Sequence, residues 1–157
     1  MATTPSKKDA KRLIESRDKN LRQLLLRTTR TLNALIEEEL KRRGYDKVRV
    51  AHSFLLAHLD LEGNSITTVA ERSGSTKQAI SVLAEELEAL GYLTREVDEE
   101  DARARILLLT EKGRKLMVDT FSIISDIEAH YTNILGEQTM DGLRTGLAAF
   151  MGVRQLT

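Results

Sequence analysis

The sequence predicts a mainly α-helical protein with one small β-hairpin. Apolar residues recur at three- and four-residue steps along most of the chain, which is the period of an amphipathic helix. The one proline, Pro5, leaves no helix breaker in the remaining chain. One stretch after Gly91 changes to two short apolar runs around an acidic turn, as a hairpin requires. With 157 residues, 41% of them hydrophobic, the chain is expected to be one domain with its own core.

Leucine spacing and glycine stops define the first two predicted helices. The first begins near Asn20 and ends at Gly44, directly after three cations. The second is predicted over residues 48–61 and ends at the following Gly-Asn pair. Its predicted apolar face consists of Val50, Phe54, Ala57 and Leu61.

Two further helices are predicted on either side of a tight turn. Ser65 or Thr67 caps a short helix that ends near Gly74. Ser75, with Gln78 three residues later, predicts a capping box that opens the next helix. That helix presents an apolar face formed by Ile80, Leu83, Ala84, Leu87 and Leu90. Two helices separated by such a turn are typical of a helix-turn-helix.

A hairpin and two long helices complete the predicted order. The strands cover residues 92–97 and 103–109, and Thr110 then caps a long helix that ends at Gly136. A last helix covers residues 139–153. Candidate core positions in the long helix are Leu116, Phe121, Ile124, Ile127 and Tyr131. The order predicts a winged helix-turn-helix flanked by N- and C-terminal helices, the fold class of this chain.

This order of elements suits duplex DNA. A helix fits the major groove, where base edges present a distinguishable code, and a hairpin tip can reach the minor groove. The predicted contacts of the second, or recognition, helix are Ser75, Thr76, Lys77, Gln78 and Ser81. Gln78 can pair with an adenine edge, and Lys77 with a guanine or a phosphate. The alternative is that these side chains are solvated helix residues.

The hairpin, or wing, offers two arginines for the minor groove. Arg103 and Arg105 are two residues apart, so they lie on one face of a strand. Their alternative is pairing with the acidic turn that precedes them. The basic cluster around Arg49, which includes Lys41, Arg42, Arg43 and Lys47, either reaches phosphates or complements a helix dipole.

The charge balance argues, taken alone, against a nucleic-acid partner. Lys and Arg number 24, as do Asp and Glu. The charges are unevenly placed, however: residues 1–60 carry 14 basic and 8 acidic side chains, and residues 61–115 carry 8 basic and 11 acidic ones. Local charge determines the field at a binding face. We therefore expect DNA binding with few phosphate contacts and a modest salt dependence.

Other classes of protein find no support in the sequence. The absence of cysteine excludes disulfides, thiolate metal sites and thiol sensing. No run of about 18 apolar residues and no secretory leader is present, so we expect a cytoplasmic protein without a membrane partner. The turn at Ser73-Gly74-Ser75 lacks the flanks of a nucleophile elbow. No enzyme activity, cofactor or metal site is predicted, since His52, His58 and His130 lack a ligand spacing.

Residues 65–113 resemble the winged-helix core of the MarR (multiple antibiotic resistance regulator) family. The resemblance is carried by Asp101-Ala102-Arg103 followed by Leu109-Thr110-Glu111-Lys112-Gly113, and by the helix-to-wing junction over residues 87–95. These motifs are strong evidence in this order and spacing. The flanking helices fit the family as well, so the resemblance covers nearly the whole chain.

The resemblance implies a homodimeric, sequence-specific transcriptional regulator, a repressor that binds a pseudo-palindromic double-stranded operator. Residues 1–46 and 114–157 would form the helical dimerisation region, and residues 47–113 the DNA-binding lobe. A small aromatic or phenolic effector is also implied. Arg103 matches the arginine that enters the minor groove, and Asp101 matches the aspartate that braces an arginine. Arg105 is the further wing contact.

Some residues depart from the family's pattern. Val82, Glu85 and Glu86 stand where many relatives have basic residues, and the wing turn is acidic. They support an alternative function, a winged-helix dimerisation or protein-interaction module with weak or lost DNA binding. Tyr45 and His52 are candidate effector contacts, and the alternative for both is a polar tip on a buried side chain.

Overall fold

The computed structural model describes residues 6, 8, 20–97 and 105–152. In the described chain, the helices are α1 Leu21–Arg42, α2 Val50–Leu56, α3 Ile66–Ser73, α4 Lys77–Ala89, α5 Glu111–Leu135 and α6 Glu137–Gly152. The strands are β1 Asn64–Ser65, β2 Leu93–Val97 and β3 Arg105–Leu109. The predicted fold class, a winged helix-turn-helix between long flanking helices, is confirmed.

Side-chain caps fix where several helices begin. The Ser65 hydroxyl accepts the Thr68 N–H at 3.1 Å at the start of α3. At α4 the cap is Thr76, whose hydroxyl accepts the Ala79 N–H at 3.1 Å. The predicted Ser75 capping box is therefore wrong. The Ser75 N–H instead donates to the Ala70 carbonyl at 3.0 Å and closes the end of α3, which delays the next helix by one residue.

Helix α2 differs from its prediction in length and in its buried face. It ends at Leu56, and Phe54 and Leu61 are 42% and 56% exposed. The buried side chains of α2 are His52, Ser53, Leu55 and Leu56. The prediction was wrong because two polar residues occupy the buried face, which hides it from a hydrophobic pattern.

The three-stranded antiparallel sheet has the order β1-β3-β2. Strand β1 was not predicted, because a pair such as Asn64–Ser65 has no detectable period; Asn64 is opposite Leu107. The predicted hairpin is confirmed, with Leu93 opposite Leu109 and Val97 opposite Arg105. The sheet's inner face joins the core.

The core joins the winged lobe to the long helices. Its fully buried side chains include Leu40, Leu55, Leu56, Val69, Ile80, Leu87, Leu93, Leu107, Leu116 and Ile123. In α5 the predicted core position Leu116 is confirmed, whereas Phe121 is 55% exposed and lies outside the buried face. The buried face of α5 runs through Gly113, Leu116, Thr120 and Ile123, so Thr120 interrupts its apolar pattern. No helix in the described part of the chain is both long and apolar enough to cross a membrane.

Candidate nucleic-acid interface

The recognition helix α4 has a clear inner and outer side. Ile80, Ala84 and Leu87 are buried against the lobe. With 3.6 residues per turn, Gln78 and Val82 lie one turn apart on the opposite side. Both are exposed, and Val82 is 49% exposed. This outer side is the surface that a DNA groove would meet.

The other predicted recognition residues are grouped at the start of α4. Thr76 and Lys77 are exposed, and Thr76 also caps the helix. Ser75 and Ser81 are only partly exposed. The Ser81 hydroxyl donates to Glu85 at 3.2 Å, so the structure already gives that side chain a partner.

An arginine from the wing is anchored on the recognition helix. The Nε atom of Arg95, on β2, lies 3.0 Å from a Glu88 carboxylate oxygen, and Nη2 lies 3.7 Å from Glu85. The Arg95 Nη2 group also donates to the Ser81 carbonyl at 3.5 Å. These contacts fix the orientation of β2 relative to α4 and neutralise two carboxylates of the helix. The sequence did not single out Arg95 for this role.

The third carboxylate of α4, Glu86, is bound by two residues at the start of α2. Arg49 donates from its guanidinium to Glu86, and His52 Nε2 lies 2.7 Å from the same oxygen. His52 is 2% exposed, and its Nδ1 accepts the backbone N–H of Arg49 at 3.1 Å. Since Nδ1 accepts, the neutral ring carries its proton on Nε2 and donates it to Glu86. The His52 hydrogen bond, with that of Arg49, lowers the pKa of Glu86.

Tyr45 is also engaged in a local polar network. Its hydroxyl donates to the Asp119 carboxylate on α5, and Lys115 Nζ lies 2.6 Å from the same carboxylate. The Lys115 and Tyr45 hydrogen bonds lower the pKa of Asp119, while burial raises the pKa of Tyr45. Tyr45 therefore ties the loop after α1 to α5.

Only part of the wing lies within the described residues. Arg105 begins β3 and is exposed, opposite Val97. Asp101 and Arg103, the other two predicted wing contacts, lie outside the described residues, as does the acidic turn. Arg42 and Arg43 of the basic cluster form ion pairs with Glu39.

The motif Leu109-Thr110-Glu111-Lys112-Gly113 has a structural cause. The Thr110 hydroxyl accepts the Gly113 N–H at 3.0 Å and donates to the Gly91 carbonyl at 2.8 Å. A Cβ atom on Gly113 would lie 2.0 Å from the Tyr92 carbonyl oxygen. Only glycine permits this approach, which packs the start of α5 against the segment that connects the recognition helix to β2.

An apolar cavity of about 220 Å³ lies between α1, α2 and α5. Its lining includes Asn33, Ile36, Val50, Ser53, Phe54, Met117, Thr120 and Phe121. Ser53 Oγ is buried and has no hydrogen-bond partner among the described residues. Tyr45 and His52 do not line this cavity. This cavity was not predicted from the sequence. The polar residues Ser53 and Thr120, which lie on buried helix faces, are the feature that could have indicated it.

No group of three His, Asp or Glu side chains suited to a metal ion occurs within the described ranges. The geometry thus defines a winged helix-turn-helix protein whose recognition helix exposes polar and apolar side chains on its outer side.

Comparison with known proteins finds a family model that is similar to part of this chain. The sequence model of the MarR family matches residues 48–104. A search of curated proteins found no significant match. Residues 48–104 are thus similar to the MarR family, and the fold that contains them is a winged helix-turn-helix between long helices.

Solved structures share the fold at low sequence identity. CouR from Rhodococcus jostii RHA1, bound to p-coumaroyl-CoA, is 23% identical, with a TM-score of 0.69 over 88% of this chain and 95% of that one. CouR bound to a 23-mer DNA duplex is 24% identical, with a TM-score of 0.72 over 85% and 94%. The S. aureus MepR–DNA complex is 19% identical, with a TM-score of 0.73 over 85% and 97%.

Proposed function

We propose that this chain is a homodimeric, sequence-specific DNA-binding repressor that a small aromatic ligand regulates. The observation that carries the proposal is the recognition helix. Its outer side exposes Lys77 and Gln78, whereas Glu85, Glu86 and Glu88 all contact partners within the chain. Paired carboxylates repel phosphates less than free ones, so the helix can approach DNA despite its acidic composition.

The proposed DNA contacts are those predicted from the sequence: Ser75, Thr76, Lys77, Gln78 and Ser81 in the major groove, and Asp101, Arg103 and Arg105 at the wing. Ser81 would have to share its hydroxyl with Glu85. The anchored Arg95 supports the assignment, because it holds the wing strand and the recognition helix as one unit.

The proposed dimer uses the flanking helices, within residues 1–46 and 114–157. Large apolar side chains are exposed on α1, α5 and α6 in the single chain. They include Leu21, Leu24, Val118, Ile134, Leu143, Phe150 and Met151. So many exposed apolar side chains are typical of a surface that another chain covers. A second copy is the occupant that the family resemblance implies.

The apolar cavity supports the proposed ligand. Its lining is largely apolar, and Ser53 supplies a buried hydroxyl without a partner, which can bond the polar group of an aromatic acid. CouR, which has a similar fold, is bound to the phenolic thioester p-coumaroyl-CoA. Because Tyr45 and His52 lie outside the cavity, we propose Ser53 in their place as the polar contact.

The alternative, a module with weak or lost DNA binding, rested on Glu85, Glu86 and the acidic wing turn. Both glutamates contact partners within the chain, so they support this alternative less than the sequence alone suggests. The wing turn lies outside the described residues.

The proposal is tested by measuring binding of the purified protein to DNA from its own promoter region at low and high salt. We expect binding at low salt, and Lys77→Ala should weaken it by about 1–3 kcal/mol through loss of a groove contact. Arg72→Ala is the matched control and should change binding less, since Arg72 is an exposed cation of the same lobe that pairs with Asp60 and is not among the proposed contacts. Failure of the unmodified protein to bind at low salt would contradict the proposal.

A further inference from the structure

Val82 occupies the centre of the recognition helix's outer side. It lies opposite the buried Ile80, Ala84 and Leu87, and one turn after Gln78. It is 49% exposed. A shallow groove beside it is lined by Thr76, Gln78, Ala79 and Leu83, with Arg49 and Glu86 at its edge. The outer side of α4 is therefore apolar at the point where a basic residue would be expected.

The charged side chains around Val82 point to partners within the protein. Glu86 is held by Arg49 and His52 on one side. On the other side Glu85 accepts a hydrogen bond from Ser81. The Glu85 side chain is still 63% exposed, but it and Glu86 already have partners. Val82 is the large apolar side chain exposed in front of this part of the helix, with the Gln78 amide one turn away.

Duplex DNA has a matching apolar group in its major groove. The C5 methyl of thymine is the apolar group that a base pair presents there. An adenine edge pairs with a glutamine amide through two hydrogen bonds, since its N7 accepts from the amide NH2 and its N6–H donates to the amide oxygen. One helical turn rises about 5.4 Å, and successive base pairs are about 3.4 Å apart. Gln78 and Val82 can therefore reach base pairs that are one or two steps apart.

We propose that Val82 reads the methyl group of a thymine in each half-site, one or two base pairs from an adenine read by Gln78. Single exposed apolar side chains are common on protein surfaces. Val82 differs through its place, beside Gln78 and central on the outer side of the recognition helix. This inference rests on the proposed function and specifies which DNA sequences the protein prefers.

The test replaces thymine by deoxyuridine, which lacks only the C5 methyl. A duplex that the protein binds is substituted one symmetric pair of thymines at a time, and its affinity is compared with that of the parent duplex. At one pair of positions we expect the affinity to fall by about threefold to fivefold for each half-site, which corresponds to the loss of one buried methyl group. In Val82→Ala that loss should shrink by at least half.

Val97→Ala is the matched control, because it trims an equally exposed valine on β2 of the same lobe. It should leave the deoxyuridine loss unchanged. Binding that is insensitive to deoxyuridine at every position would overturn the inference while leaving the proposed function intact. A loss that persists in full in Val82→Ala would also overturn it. If no duplex is bound, the proposed function itself fails, and the inference fails with it.

Discussion

A buried histidine connects the helix before the helix-turn-helix to the recognition helix. His52 Nδ1 accepts the Arg49 N–H, and its Nε2 lies 2.7 Å from Glu86 on α4. One imidazole thereby caps α2 and orients a neighbouring helix. From the sequence, His52 is a histidine on a predicted helix and a candidate effector contact. Its bond to Glu86 could not be predicted, because Glu86 lies 34 residues further along the chain.

Replacing this histidine should destabilise the protein. In His52→Ala the Arg49 N–H loses its acceptor, Glu86 loses a donor and the buried ring is removed, so the free energy of unfolding should fall by about 1–3 kcal/mol. His130→Ala removes the same ring from an exposed position and should change it by less than about 0.5 kcal/mol. Urea denaturation of both variants measures the difference, and equal stabilities would contradict this role for His52.

Helices α2 and α4 show which features of the secondary structure the sequence predicts and which it does not. The order of helices and the hairpin followed from hydrophobic period and turn residues, which are local properties. The start of α4 did not, because Ser75 and Thr76 are both good caps and the choice depends on how α3 ends. The buried face of α2 did not either, since His52 and Ser53 are polar.

Gly113 is an element-scale feature that constrains the sequence. Gly113→Ala would place a methyl group 2.0 Å from the Tyr92 carbonyl, so α5 would have to shift from the sheet. We expect a loss of about 1–3 kcal/mol in unfolding free energy. Arg114→Ala, at the adjacent exposed position, should leave stability within about 0.5 kcal/mol of the parent. Thermal unfolding measures both; a Gly113→Ala protein as stable as Arg114→Ala would show that the close approach is not required.

At the scale of the whole molecule, the exposed apolar residues of the long helices predict a dimer. Sedimentation equilibrium of the full chain should give twice the monomer mass. Phe150→Glu, which puts a charge on a side chain 62% exposed on α6, should shift the equilibrium towards monomer. Val97→Glu makes a similar change on the wing and should leave the dimer unchanged. A monomeric parent protein at micromolar concentration would contradict the predicted interface.

The pairing of charges across the whole molecule explains why a net charge of zero does not argue against DNA binding. Counting charges cannot show which of them are paired, and the acidic residues of the recognition helix are. The groove-facing side is therefore less acidic than the composition suggests. We still expect few phosphate contacts, because Arg49 and Arg72, two of the exposed cations on the described surface of the lobe, are already paired with carboxylates.

Selection of binding sites from random duplexes with the purified protein tests the central claim most directly. A dimer that places two recognition helices in successive major grooves should enrich one inverted-repeat motif, with half-site centres about 10 base pairs, or 34 Å, apart. The lobe's proposed contacts predict that the motif contains adenine and thymine at adjacent or next-adjacent positions in each half-site. Recovery of duplexes with no shared motif, at a salt concentration where binding is retained, would contradict sequence-specific recognition by this protein.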